Sequence, residues 1–123
     1  MTRYGLIVAA LLLTPYVTAD ELNGPQRNAV RIAEEYLEID PFSRKGLIKQ
    51  LSEGEGFEKD NAEIAVDSLQ VDWKANAARS ASLYTEMGGF SCESLRRQLS
   101  SPHGEHFTPG QARHGASQTS ACQ

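Results

Sequence analysis

The sequence predicts an all-α protein: two tandem three-helix, helix-turn-helix-like repeats that follow an N-terminal leader. Two observations support this prediction. Apolar residues recur at the three- and four-residue spacing of a helix face, and one pattern of residues occurs twice at a constant offset, which indicates duplicated architecture. The pattern comprises Asn28-Ala29, Arg31, Ala33, Tyr36, Phe42-Ser43, Leu47 and Gln50-Leu51-Ser52, which return as Asn76-Ala77, Arg79, Ala81, Tyr84, Phe90-Ser91, Leu95 and Gln98-Leu99-Ser100.

Residues 1–19 are predicted to be a signal peptide or a membrane anchor. Arg3 supplies a positive start, Gly5 to Leu13 is an apolar run of nine residues, and Pro15 interrupts it. The small and apolar residues at 17–19 suit a signal peptidase. A membrane-spanning helix needs about 20 apolar residues, so the short run favours a cleaved leader. We therefore expect a periplasmic or secreted protein, with an uncleaved inner-membrane anchor facing the periplasm as the alternative.

The charge of the chain is divided unevenly between the predicted repeats. Cleavage after residue 19 would leave 11 basic and 16 acidic side chains, a net charge of −5. The first repeat, 26–72, carries 11 acids against 6 bases, whereas the second, 74–123, carries 3 acids against 5 bases. Such an asymmetry can align the repeats or steer a partner, although it is also typical of solvated helix surfaces.

The first helix of repeat one is predicted to begin near Pro25, because proline is favoured at a first helical position. Its outer face carries an acidic run. It should stop at Asp40-Pro41, because a residue before proline avoids the helical region. The inward positions are Ala29, Ile32, Ala33, Tyr36 and Leu37.

The second helix is predicted to begin after Ser43, whose hydroxyl can cap it. Phe42 before the cap and Leu47 four residues after it have the spacing of a hydrophobic staple. The device recurs as Phe90, Ser91 and Leu95. We expect this helix to end at Gly54 and Gly56.

The third helix is predicted to follow Phe57 in repeat one and to begin at Thr108-Pro109 in repeat two. In repeat two this helix carries small and polar residues, so we expect that repeat to be degenerate and weakly packed. Trp73, between the repeats, is interpreted as a wedge packed between them. The residues predicted to be structural are Tyr36, Phe42, Leu47, Phe57, Trp73, Tyr84, Phe90 and Leu95.

The two cysteines, Cys92 and Cys122, suggest one disulfide in an exported protein. Cys92 opens a helix, and the end of an antiparallel last helix could approach it. Free thiols or an intermolecular bridge are the alternatives. No nearby side chain would activate either thiol for catalysis.

No catalytic or metal site is predicted. His103, His106 and His114 cluster near Glu105, and His103 and His106 could present two imidazoles to zinc. We interpret them as exposed loop histidines, because no cysteine ligand is nearby in the sequence and repeat one has no matching pair. Glu34, Glu35, Glu38 and Asp40 would stay solvated on a helix face, which disfavours acid–base work and leaves an electrostatic docking patch. The acidic first repeat also disfavours DNA binding, despite the basic pairs Arg44-Lys45 and Arg96-Arg97.

The two-fold pattern resembles the Ltp-type family, whose members are host cell surface-exposed lipoproteins with tandem helix-turn-helix-like repeats. The similar stretches are Asn28 to Leu51, Gly56 to Asp67, Asp72-Trp73 and Asn76 to Leu99. The sequence departs from the family in two respects: it has no lipobox cysteine, and the likeness weakens after Leu99.

The resemblance implies a phage-encoded superinfection exclusion protein, which binds the tape-measure protein of an incoming phage or an inner-membrane injection component. We expect a monomer without a cofactor, without nucleic acid, and with membrane contact only through an uncleaved leader. An exported envelope protein with no phage role is the alternative, and a wall hydrolase is a third possibility. The candidate partner-binding residues are Glu34, Glu35, Glu38, Arg44, Lys45 and Lys49.

Overall fold

The computed structural model describes residues 18–123, so the predicted leader lies outside the described residues except for its last two positions. This part of the chain forms six α-helices and no strand. Within it, no helix is long and apolar enough to cross a membrane. The helices are α1 (Gly24–Ile39), α2 (Arg44–Lys49), α3 (Lys59–Ser68), α4 (Trp73–Met87), α5 (Cys92–Ser100) and α6 (Pro109–Ser117). A π-helical turn, Gln50–Gly54, extends α2, and short 3-10 turns occupy Ala19–Glu21 and Ser120–Cys122.

Side chains cap the helix starts that the sequence predicted. The Ser43 hydroxyl accepts a hydrogen bond from the Gly46 amide at 2.9 Å, and Ser91 does the same for Ser94 at 3.0 Å. Thr108 accepts from the amide three residues later. Each such cap contributes about 1 kcal/mol to stability. The predicted capping residues are therefore confirmed.

The predicted limits of α1 are also confirmed. Asn23 and Gln26 form a reciprocal capping box at its start, and Pro25 lies in the first turn. The helix ends at Ile39, immediately before Asp40-Pro41.

Each repeat encloses its own apolar cluster. Helices α1, α2 and α3 surround the first, and α4, α5 and α6 surround the second. Leu47 and Leu95, at the same repeat position, are both fully buried. The first cluster contains Ala33, Leu47, Ile48, Leu51, Ala62 and Val66. The second contains Ala77, Ala81, Leu95, Leu99, Phe107, Ala112 and Ala116.

An aromatic pair joins the first two helices of each repeat. The rings of Tyr36 and Phe42 meet edge-on, with centroids 5.7 Å apart, and those of Tyr84 and Phe90 meet edge-on at 5.3 Å. Edge-to-face rings at this distance attract one another through their quadrupoles. The recurrence of both rings in the sequence therefore has a packing reason.

The second helix of repeat one ends at Gly54, as the sequence predicted, but its last turn is π-helical. In this turn the Glu55 amide donates to the Gln50 carbonyl at 3.0 Å. Repeat two has two more residues here and forms a loop, yet the equivalent bond from Glu105 to Gln98 persists at 3.1 Å. The two extra residues therefore leave the backbone contact between the glutamate and the glutamine unchanged.

The small residues of α6 do not weaken the packing as expected. Ala112 and Ala116 are buried in the second cluster. A Cβ added to Gly115 would lie 2.5 Å from the Ala77 carbonyl oxygen, so glycine is what permits α6 to approach α4 this closely. The expectation of weak packing is therefore wrong for this helix, because small side chains bring two backbones together.

Hydrogen bonds and one aromatic ring join the two repeats. The Asn76 amide donates to the Phe42 carbonyl at 2.9 Å, and the Ser43 hydroxyl donates to the Glu105 carbonyl. Trp73, the first residue of α4, is half-buried against the apolar cluster of the first repeat. The cap of α2 thus also serves as a contact between repeats.

Candidate functional site

A tyrosine, a glutamine and a glutamate form a hydrogen-bonded cluster in each repeat. In repeat two, the Tyr84 hydroxyl donates to the Glu105 carboxylate at 2.6 Å, and the Gln98 amide donates to the Tyr84 oxygen at 3.1 Å. In repeat one, Tyr36 bonds to Glu55 and Gln50 in the same way. These clusters were not predicted from the sequence, although Tyr36 and Gln50 return as Tyr84 and Gln98 at the constant offset of the repeat.

The clusters hold their phenols in the protonated form. Burial is the main cause that raises the pKa of Tyr84 to about 12, and the hydrogen bond to Glu105 adds to it. The hydrogen bond to Glu55 is the main cause that raises the pKa of Tyr36. A phenol that keeps its proton well above neutral pH is suited to fastening a loop to a helix, not to proton transfer.

The structure separates the six candidate partner-binding residues into two groups. The acidic residues Glu34, Glu35 and Glu38 lie exposed on α1, and Glu35 pairs loosely with Arg31 at 3.7 Å. The three basic residues do not join them; they lie on α2 and line a groove of about 340 Å³. The basic members of the groove are Arg44, Lys45, Lys49 and Lys59.

The basic groove contains one fixed cation and several free ones. The Arg44 guanidinium binds both carboxylate oxygens of Asp67, at 2.6 and 2.8 Å, and this contact raises its pKa. No ion pair in the described part of the chain involves Lys45 or Lys49. These two lysines are therefore available to an acidic partner, whereas Arg44 is committed to α3.

The histidines lie in different environments. The interpretation as exposed loop histidines is confirmed for His103 but is wrong for the other two. His114 is half-buried on α6, and His106 is half-buried and lines the basic groove. His106 also adopts φ +61°, at the repeat position where Gly56 has φ +84°. Residues 18–123 contain no group of three or more side chains placed to hold a metal ion.

A disulfide closes the C-terminal end of the second repeat. Cys92, the first residue of α5, is bonded to Cys122, with their Cα atoms 4.7 Å apart. Cys122 and Ala121 pack against the second apolar cluster. The bridge therefore fastens the segment after α6 to the start of α5, as the sequence predicted.

Comparison with solved structures shows a likeness in fold. The structure of Ltp, a superinfection exclusion protein from the Streptococcus thermophilus temperate phage TP-J34, is similar with a TM-score of 0.72 and 24% sequence identity. The alignment covers 80% of this chain and 98% of that chain. The search of curated proteins found no match.

Comparison with protein families gives one match in each repeat. The sequence profile of the Ltp family, described as host cell surface-exposed lipoprotein, matches residues 25–69 and again residues 72–117. The first match spans α1 to α3 and the second spans α4 to α6. Because the two matches together cover most of the sequence, the chain belongs to the Ltp family of host cell surface-exposed lipoproteins.

Proposed function

We propose that the protein excludes superinfecting phages from an exported position at the cell envelope. It would bind the tape-measure protein or the injection channel of an incoming phage and thereby stop the passage of DNA. The observation that carries this proposal is the family match in both three-helix repeats. The likeness in fold to a phage superinfection exclusion protein supports it.

The proposed mechanism is binding without turnover by a rigid monomer. Capped helices, paired aromatic rings and the Cys92–Cys122 bridge restrict the shape of the chain, and a preorganised surface loses less entropy when it binds. A disulfide also suits an oxidising compartment outside the cytoplasm, in agreement with the predicted leader. If the leader is retained, residues 1–19 would hold the protein at the inner membrane.

Phage infection of cells that express the chain tests the proposal. We expect adsorption of a sensitive phage to be normal, whereas the amount of phage DNA inside the cell and the efficiency of plating should fall. A matched control is the same chain with the leader deleted, which should lose protection because it stays in the cytoplasm. Normal plating across a broad panel of related phages would refute exclusion.

The two charged groups can be tested separately for partner binding. Lys45→Glu with Lys49→Glu reverses the basic groove, and Glu34→Lys with Glu35→Lys reverses the acidic face of α1. All four side chains are solvent-exposed, so stability should change little. If only one of the two double variants loses exclusion, the group of residues that it reverses lies on the binding face. Full exclusion by both double variants would remove these four residues from the proposed surface.

A further inference from the structure

A groove lies where the loop after α1 meets α4, at the junction of the two repeats. It encloses about 250 Å³, below the roughly 300–1,000 Å³ of small-molecule sites. A groove of this size is suited to receive a few side chains of another protein. Its floor is the buried pair Pro41 and Ser80, and its walls include Leu83, Met87, Asp40 and Glu105.

One wall of this junction groove is an exposed apolar face. Leu83 is 48% exposed and Met87 is 70% exposed. They are four residues apart on α4 and therefore share one face of the helix. Repeat one has Glu35 at the position of Leu83, so this face has an aliphatic side chain where its counterpart on α1 is charged. Adjacent exposed aliphatic side chains rimmed by polar groups are typical of protein interaction sites.

The charge of the junction groove is negative. Its lining includes the carboxylates of Asp40 and Glu105 but no lysine or arginine. Tyr84 lines the same groove, and both carboxylates help to raise its pKa. The Glu105 carboxylate is half-buried beside that phenol. A cation placed here would meet two negative groups in a partly desolvated setting, where charge complementarity contributes strongly to specificity.

We propose that the junction groove binds an amphipathic helix of a partner protein. Its aliphatic stripe would pack on Leu83 and Met87, and a lysine or arginine would lie between Asp40 and Glu105. This inference rests on the proposed function in one respect, since the partner would be a protein of the incoming phage. The groove exists only where two repeats meet, so one repeat alone would lack it.

Peptide binding to the purified full chain tests the groove. Two labelled helical peptides of equal length serve as probes, one built from leucine and lysine and the other from leucine and glutamate. We expect the leucine–lysine peptide to bind and the other not to bind, by fluorescence anisotropy. Leu83→Gln with Met87→Gln should weaken the binding by at least about tenfold, as expected for central apolar anchors.

Two further variants separate apolar from charged contributions. Asp40→Lys should lower the affinity for the leucine–lysine peptide and raise the affinity for the leucine–glutamate peptide. It should fold normally, because a cation after a helix C-terminus is favourable. Ile39→Gln is the matched control: Ile39 has the repeat position of Met87 and is 76% exposed, but it does not line the groove. Its binding should equal that of the wild type.

Three outcomes overturn the inference. Equal binding of both peptides by the wild type, or unchanged binding by Leu83→Gln with Met87→Gln, would show that the groove does not select this ligand. A dimer that dissociates on Met87→Gln, measured by sedimentation, would assign the groove to a second copy and also overturn it.

The same variants in the plaque assay separate this inference from the proposed function. If Leu83→Gln with Met87→Gln still excludes phages fully, the inference that the groove binds the phage partner is overturned, and the proposed exclusion function is unaffected. If the wild type binds the leucine–lysine peptide through the groove but excludes no phage, the inference about the groove is supported and the proposed exclusion function is refuted.

Discussion

The Cys92–Cys122 bridge should supply a large share of the stability of the second repeat. We consider the double substitution Cys92→Ser with Cys122→Ser, which removes the bridge and leaves two small polar side chains. The bridge closes a loop across a sequence separation of 30. In the chain-entropy model, a loop of this length restricts the unfolded chain by about 3.5 kcal/mol.

This magnitude is large for a domain of this size. About 3.5 kcal/mol corresponds to a fall in the melting temperature of roughly 15–25 °C for a domain of about 100 residues. The loss should concentrate around the segment after α6, where Ala121 and Cys122 pack on the second apolar cluster. The hydrogen bonds of the first repeat should open later than those of the second.

Urea denaturation of the wild type, with and without reductant, and of the double variant measures the effect. The reduced wild type should match the double variant, and the reductant should leave the double variant unchanged. Hydrogen exchange locates the loss. A difference in the free energy of unfolding below about 1 kcal/mol would contradict the reasoning, because it would mean that the bridge hardly restricts the unfolded chain.

Three single substitutions test other contacts of the second repeat. Gly115→Ala should lower the free energy of unfolding in urea by roughly 1–3 kcal/mol, because its Cβ would lie 2.5 Å from the Ala77 carbonyl oxygen. His106→Gly should raise it by about 1 kcal/mol, because glycine adopts φ +61° without steric cost. Tyr84→Phe should make the free energy of unfolding depend less on pH between 10 and 12. The pKa of Tyr84 is about 12 in the folded protein, against the ordinary 10.0. The stabilising contribution of this phenol is therefore complete below pH 10 and is lost as the pH rises towards 12.

Each of these expectations has its own contrary result. Unchanged stability of Gly115→Ala would mean that α6 can move away from α4 at little cost. A loss of stability in His106→Gly would mean that the imidazole contributes more in the basic groove than its backbone conformation costs. A stability profile of Tyr84→Phe that parallels the wild type between pH 10 and 12 would show that the phenol is not held in its protonated form by folding.

Much of the fold could be predicted from the sequence because its signals are local. A cap such as Ser43 or Thr108 acts on an amide three residues away, and an apolar stripe repeats with the period of the helix that it builds. The disulfide could be suggested because Cys92 lies at the start of a predicted helix. The candidate partner-binding residues remain a prediction: all six are charged, and the structure divides them into an acidic group on α1 and a basic group in the groove of α2.

The sequence by itself determined the duplication, the helix starts and the membership of a family, since these depend on neighbouring residues and a repeated spacing. Only the tertiary structure decided how the helices meet, both within a repeat and between the two repeats. The Tyr84–Glu105 contact, the approach of Gly115 to Ala77 and the junction groove all join residues far apart in the chain. Such contacts depend on the angle and distance between packed helices, which no local pattern of residues encodes.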